Sequence, residues 1–320
     1  MGRFAGEWLS GLLVVTTEFR HIVTTPKTCC QDSSSKDRLT VPELPEVETM
    51  RRGILPIVGS RIIGVQRPRC RLKPIAVSPA MATFRRRTIG QRIDDVQRIG
   101  KRVIVRLTSD DAIVFEPRMT GLVLLADPPN LQHLRFQLDL ADADHDRLLF
   151  WDRRGLGNVT LLSPEELAVR IQEKLGPDAL TVDGSMLRQR LGASQRAIKV
   201  ALLDQHAVAG IGNLYASEIL FLAKVHPQKR CHSLTRKHWD AIAERIVEVL
   251  NEAIRYEGST LSDGTYRNAL NKEGGYQNHH RVYDRENLPC PQCRSPIVRI
   301  VQSQRSTFFC AKCQRRPRST

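Results

Sequence analysis

Nowhere in the 320 residues is there a run of eighteen apolar side chains, so a helix that spans a bilayer is excluded. No internal repeat is found. No convincing small-residue cleavage site follows the apolar patch Leu12 to Val15, and Glu7 interrupts its upstream flank. The start is therefore not read as a signal peptide, and a cytosolic protein is expected. Acids are in deficit, 34 against 49 lysines and arginines, which gives a formal charge of +15 spread along the chain. Residues 1–40 hold five basic and four acidic side chains, so the excess belongs to the body of the chain beyond them. Such a balance favours a polyanionic partner, most simply nucleic acid. At 41% hydrophobic and 26% charged residues the chain is ordinary globular material, long enough for two domains and a small third.

Periodicity divides the chain. Val47, Met50, Ile54 and Val58 recur at three- and four-residue steps, which predicts an amphipathic helix over 46–58 that Pro56 should end or kink. From Arg61 to about Leu162 short apolar or alternating runs predict strands, among them 62–65, 103–107, 112–115, 122–125, 134–140 and 148–151. Gly, Pro and Asp separate them, as in a sandwich or barrel. Helical periods dominate from Pro164 to Tyr256, over 164–175, 197–204, 213–223 and 236–256. The stretch 258–280, rich in Gly, Asn and Tyr, is expected to be a mobile loop.

Eight cysteines could suggest disulfides, but four stand as two Cys-x-x-Cys pairs, Cys290 with Cys293 and Cys310 with Cys313. Two such turns joined by a hairpin bring four thiolates to one ion, a closed tetrahedral set that suits one structural zinc and leaves no position for a catalytic water. A redox dithiol is the weaker reading, because no thioredoxin-like strand and helix surround the pairs. Cys29, Cys30, Cys70 and Cys231 read as reduced thiols. Arg299, Gln304 and Arg305 between the pairs, with Lys312, Arg315, Arg316 and Arg318 beyond, suit an approach to phosphate.

Three motifs carry a resemblance: Pro42-Glu43-Leu44-Pro45-Glu46-Val47-Glu48, Gly210 to Glu218, and Gln304 to Cys310. Together they resemble the bacterial formamidopyrimidine-DNA glycosylases, the family that also contains endonuclease VIII. The resemblance implies an α+β multidomain fold. Residues 42–163 would form an N-terminal helix and β-sandwich, 164–280 a helical helix–two-turn–helix domain with a lesion loop, and 281–320 a zinc-finger hairpin. It also implies a monomer in the bacterial cytoplasm, associated with the nucleoid. The activity implied is excision of oxidised purines from double-stranded DNA, followed by strand cleavage through β,δ-elimination. Leu44 favours that purine branch over an endonuclease VIII-like enzyme for oxidised pyrimidines.

By the same resemblance, Pro42 is the nucleophile, its secondary amine forming a Schiff base, and Glu43 is the general acid/base. Glu46 positions the damaged nucleotide, and Lys101 contacts phosphate beside the lesion. Met119 intercalates, Arg154 reads the orphaned base and Leu156 wedges the step apart. Lys199, Asn213 and Arg305 clamp phosphate, and residues 271–280 form a flap. Glu116-Pro117-Arg118 stands where the family commonly has His-Leu-Gly, and Arg153-Arg154-Gly155-Leu156 departs from Pro-Arg-Arg-Phe. A proline inside a peptide bond has lost its lone pair to amide resonance. Pro42 follows Val41, and valine is how an internal reading renders a GTG start codon, so residues 1–41 are expected to be a non-native or removed extension. A catalytically silent, zinc-containing protein that binds damaged DNA is the alternative if they are retained.

Overall fold

The computed structural model describes residues 42–315 apart from 143, 261–263 and 265. The expected extension over 1–41, with Cys29 and Cys30, lies outside the described residues, as do Arg316 and Arg318.

Helix α1 (Leu44–Gly53) opens with Pro45 in its first turn, and Glu46 Oε2 accepts the Glu43 N–H at 2.9 Å, closing the end that α1 cannot satisfy internally. Val47, Met50 and Ile54 are fully buried. The helix is shorter than its stripe suggested: Pro56 turns the chain into a 3-10 segment, Leu55–Ile57, and Val58 is exposed.

Nine strands come next, in two sheets. One has the order β1 (Arg61–Gln66), β7 (Leu134–Ala141), β8 (Arg147–Asp152), β6 (Gly121–Leu124). The other runs β2 (Ala76–Ser78), β9 (Asn158–Leu162), β5 (Ala112–Glu116), β4 (Arg102–Leu107), β3 (Ile93–Ile99). All pairings are antiparallel except β2 with β9. Side chains alternate between faces along a strand. Val103, Val105, Ile113 and Phe115 accordingly enter the core shared by both sheets and α1, and Ile104, Ala112 and Val114 pack outward on Leu167 and Ile171. The helix α2 (Met81–Thr88) contributes Phe84, edge-on to Phe136 at 5.3 Å.

Beyond the sheets, α3 (Pro164–Leu167) continues as a π-helical turn over Ala168–Gln172. Then come α4 (Gly184–Leu191), α5 (Ile198–Leu202), α6 (Asn213–Leu222) and α7 (Arg236–Arg255). The buried side of α7 runs Trp239, Ile242, Ala243, Ile246, Val249, Leu250, Ala253, the three-and-four spacing of one helix face. A hairpin of β10 (Val298–Gln302) and β11 (Arg305–Phe309) follows, and Phe308 within it and Cys290, Ile297 and Cys310 flanking it share the helical core. Among the described residues no helix is long and apolar enough to cross a membrane. Leu44 is buried in the helical core while the rest of α1 serves the sandwich core. The residues just before α1 are thereby held at the junction of the two.

Candidate active site

Pro42 and Glu43 are buried at that junction. Leu44 N–H donates to Gly210 O at 3.0 Å, and the Glu43 carboxylate accepts the N–H groups of Gly212 at 2.6 Å and Leu214 at 2.9 Å, at the start of α6. Only glycine permits this approach: a Cβ on Gly212 would lie 2.3 Å from Glu43 Cδ, and Gly210 has φ +111° with Leu44 packed against it. The positive end of α6 and the two N–H groups favour the ionised carboxyl. Burial outweighs them. It pushes the Glu43 carboxyl up to about 7, with Glu46 pushing the same way and Lys101 opposing.

Glu46 is also buried, with Oε1 receiving the Tyr215 hydroxyl at 2.6 Å and the Ser259 N–H at 2.9 Å. Burial raises its carboxyl above the ordinary range, and its hydrogen bonds work against that. Two carboxyl groups with raised pKa values therefore lie within a few residues of each other, one near neutrality.

Lys101 follows Gly100 (φ +58°) in the two-residue turn between β3 and β4, a position that calls for glycine first. Burial lowers its amine, the charge of Glu43 restrains the fall, and Arg305 adds to it. Lys199 is 1% exposed, and its ammonium donates to Asn213 Oδ1 at 2.5 Å, Thr307 Oγ1 at 2.8 Å and Ser306 O at 3.2 Å. Burial lowers it to about 7, with Glu43 and Arg305 acting in opposite senses. Asn213 Nδ2 donates to the same Ser306 carbonyl at 3.0 Å. Both expected phosphate ligands are thus engaged in tying α5 and α6 to the hairpin, while Arg305 is exposed after the turn residues Ser303 and Gln304, both at positive φ.

The structure brings Pro42, Glu43, Glu46, Lys101, Lys199, Asn213 and Arg305 into one electrostatic neighbourhood. Met119 and Arg154 form a second group at the ends of β5 and β8, and Leu156 lies two residues beyond Arg154. Arg154 and Leu156 are exposed, Met119 is half-buried, and Arg154 Nη1 lies 3.0 Å from Met119 Sδ. None of the three belongs to a core cluster. Arg118 stands in the left-handed region (φ +53°) with its guanidinium on Glu116 at 2.9 Å.

The expected flap differs from an open loop. Tyr276 is fully buried with its ring 5.6 Å from that of Tyr215, its N–H donates to Gly258 O, and Gly275 N–H donates to Tyr256 O at 2.7 Å. An aromatic ring with a buried site to fill holds that half of the segment down. Sequence reasoning assigned no role to Tyr215 or Ser259. Tyr215 stands within the Gly210–Glu218 motif and so was in view, and nothing in the sequence marks Ser259.

The four sulfurs of Cys290, Cys293, Cys310 and Cys313 lie within 4.8 Å of one another, with Cys290 to Cys313 at 3.9 Å and Cys293 to Cys310 at 3.4 Å. A tetrahedral zinc with Zn–S of about 2.3 Å separates its sulfurs by about 3.8 Å, so the donor set fits. Gln314, buried, accepts from Cys310 N–H at 3.0 Å and donates to Val225 O, fixing the second knuckle to the helical core.

Residues 41–159 match the formamidopyrimidine-DNA glycosylase N-terminal domain, residues 175–265 the formamidopyrimidine-DNA glycosylase H2TH domain, and residues 287–316 the zinc finger found in FPG and IleRS. The chain is 39% identical over 279 residues to the formamidopyrimidine-DNA glycosylase of Chloroflexus aurantiacus, covering 86% of this chain and 98% of the relative. For that of Streptococcus mutans the identity is 35% over 283 residues, covering 86% and 100%. Among solved structures, the MutM (Fpg) protein of Thermus thermophilus superposes with a TM-score of 0.75 at 36% identity, covering 85% of this chain and 98% of that one. A Lactococcus lactis FPG mutant in complex with Fapy-dG containing DNA gives 0.76 at 33%, covering 86% and 100%. Likeness of this extent, over both domains and the zinc finger, means that the chain belongs to the formamidopyrimidine-DNA glycosylase family.

Proposed function

We propose that this DNA glycosylase excises oxidised purines, 8-oxoguanine and formamidopyrimidines, from duplex DNA as a monomer, and cleaves the strand by β,δ-elimination through a Schiff base on Pro42. The observation that carries the reading is the Glu43 carboxyl beside Pro42, buried, aimed at the start of α6 and raised to about 7. A group with that pKa gives and takes protons with little penalty at neutral pH. The Pro42 nitrogen attacks C1′ of the damaged nucleotide, the base departs with the electron pair of the glycosidic bond, and the proton that the amine sheds neutralises the departing base. Glu43 delivers the proton that opens the sugar ring. The nitrogen then shares its lone pair with C1′ as an iminium, which acidifies C2′ and permits loss of the phosphates. Lys101, which feels the charges of both Glu43 and Arg305, would face the phosphates together with Arg305, and the zinc set holds the hairpin that carries Arg305.

The chemistry needs an amine, so the active chain begins at Pro42. In support, 86% of this chain accounts for 98% to 100% of relatives' lengths, and the N-terminal domain match opens at residue 41. The test uses duplexes containing 8-oxoguanine, a formamidopyrimidine or thymine glycol. A chain started with methionine at position 41 should release the purines and leave phosphate at both ends of the gap, while the full chain should not. Preference for thymine glycol would place the enzyme in the pyrimidine branch, and binding without excision by both chains would make it a silent binder.

A further inference from the structure

Met119 and Arg154 are brought together from separate parts of the chain, the turn between β5 and β6 and the turn after β8. Behind them is a closed polar cluster. Thr120 and Asp152 are 1% and 0% exposed. The Thr120 hydroxyl donates to Asp152 Oδ1 at 2.5 Å, and the Arg154 N–H faces both, 3.0 Å from the hydroxyl oxygen and 3.2 Å from the carboxylate. Asp152 Oδ2 accepts the Gly157 N–H at 2.8 Å. The main chain of Asp152 is fixed as well, its carbonyl accepting from the buried Arg135 Nε at 2.8 Å and its N–H donating to His133 O at 2.9 Å. One carboxylate thus holds the two ends of 154–157 and, through one hydroxyl, the residue that follows Met119.

We propose that Thr120 and Asp152 are positioning residues that make Met119 and Arg154 a single unit, so that discrimination of the base opposite the lesion depends on the Thr120 hydroxyl although it is sealed from the DNA. The inference rests on the reading that Met119 and Arg154 occupy the gap left by the extruded base. A hydroxyl that accepts from one turn and belongs to the other is the shortest link between them, and the buried carboxylate gives it a fixed direction. Without that link each turn keeps its strand ends but loses its registry with the other, and fixed geometry is what lets a side chain read a base edge.

The experiment is a double-mutant cycle on excision of 8-oxoguanine opposite each of the four bases, using the chain begun at Pro42. With Thr120 present, the effects of Met119→Ala and Arg154→Ala on opposite-base discrimination should fail to multiply by about tenfold, as residues acting together do. In the Thr120→Val background, which keeps shape and drops the hydroxyl, they should multiply to within about twofold. The ranking of opposite bases should flatten there, while borohydride trapping on a base-free site persists. Thr120→Ser, which keeps the hydroxyl, should restore the coupling, a rescue that a merely space-filling residue would not show. If Thr120→Val does not fold, Thr120→Ala against Thr120→Ser makes the same comparison. Coupling that survives removal of the hydroxyl overturns the inference. If Met119→Ala and Arg154→Ala leave discrimination untouched with Thr120 present, the gap-filling reading itself fails, and the two failures are told apart by that first measurement.

Discussion

Replacing Glu43 by glutamine keeps the side chain's length and removes its titration, and the structure fixes how stability should respond to pH. The Glu43 carboxyl has an ordinary value of 4.5 and is raised to about 7 in the folded chain. A folded-state carboxyl raised in this way binds more protons than the unfolded one between those values, so its cost to stability is small below 4.5 and grows until about pH 7. At 1.36 kcal/mol per pKa unit the full cost is about 3 kcal/mol, of which about 2.5 kcal/mol appears between pH 5 and pH 8. Glutamine carries no such cost. Its amide, however, can offer only one oxygen to Gly212 N–H and Leu214 N–H, and setting its NH2 against the other loses about 1–3 kcal/mol. Glu43→Gln should therefore be less stable than the parent at pH 5 and close to it, or more stable, at pH 8. Urea denaturation of both proteins at the two pH values, with zinc present, measures the difference, and titrating groups that do not feel the Glu43 charge cancel in it. A gap between variant and parent that is the same at pH 5 and pH 8 would refute a buried, raised Glu43. Excision should meanwhile fall by about a hundredfold or more while lesion binding survives.

Three further outcomes rest on the same geometry. Gly212→Ala places a methyl within 2.3 Å of Glu43 Cδ and should cost about 1–3 kcal/mol in denaturation, with excision lost well before the fold is. Cys310→Ser, or chelation, should loosen the hairpin and abolish binding of lesion duplex in a gel-shift titration, because Arg305 loses its scaffold; normal binding by zinc-depleted protein would separate the hairpin from the DNA site. Leu156→Phe should tighten lesion binding only a few fold, since stacking is worth about 1–3 kcal/mol and part is lost to fitting a larger ring between Gly155 and Gly157, whose surroundings are already close.

Much of the fold was legible because six of the nine sandwich strands are short apolar or alternating runs set apart by Gly, Pro or Asp. The strand β3 was not singled out, for a physical reason: its sequence reads Ile-Asp-Asp-Val-Gln-Arg-Ile, and a register shift between Ile93 and Asp95 spoils the two-residue alternation. The helix α2 hid likewise, with only Phe84 and Thr88 buried in eight residues, one turn of stripe. Four cysteines at fixed spacing announced their own convergence. The site residues were found through motifs, but what gives them chemistry is tertiary. Glu43 meets Gly212 across 169 residues, Glu46 meets Ser259 across 213, and Lys199 meets Thr307 across 108, contacts that no local pattern encodes. The Thr120–Asp152 link is hidden in the same way, since neither residue stands out among its neighbours until two turns are folded together.

The measurement that bears most directly on the proposed chemistry is the site of covalent attachment. The chain begun at Pro42 is incubated with 8-oxoguanine duplex and borohydride, digested, and the nucleotide-bearing peptide sequenced by mass spectrometry. Reduction should leave the sugar's C1′ on the nitrogen of Pro42 and nowhere else, and the full chain beginning at Met1 should yield no adduct unless it has first been cleaved before Pro42. An adduct on a lysine, or an equal yield from an uncleaved full chain, would contradict the assignment of Pro42 as the nucleophile.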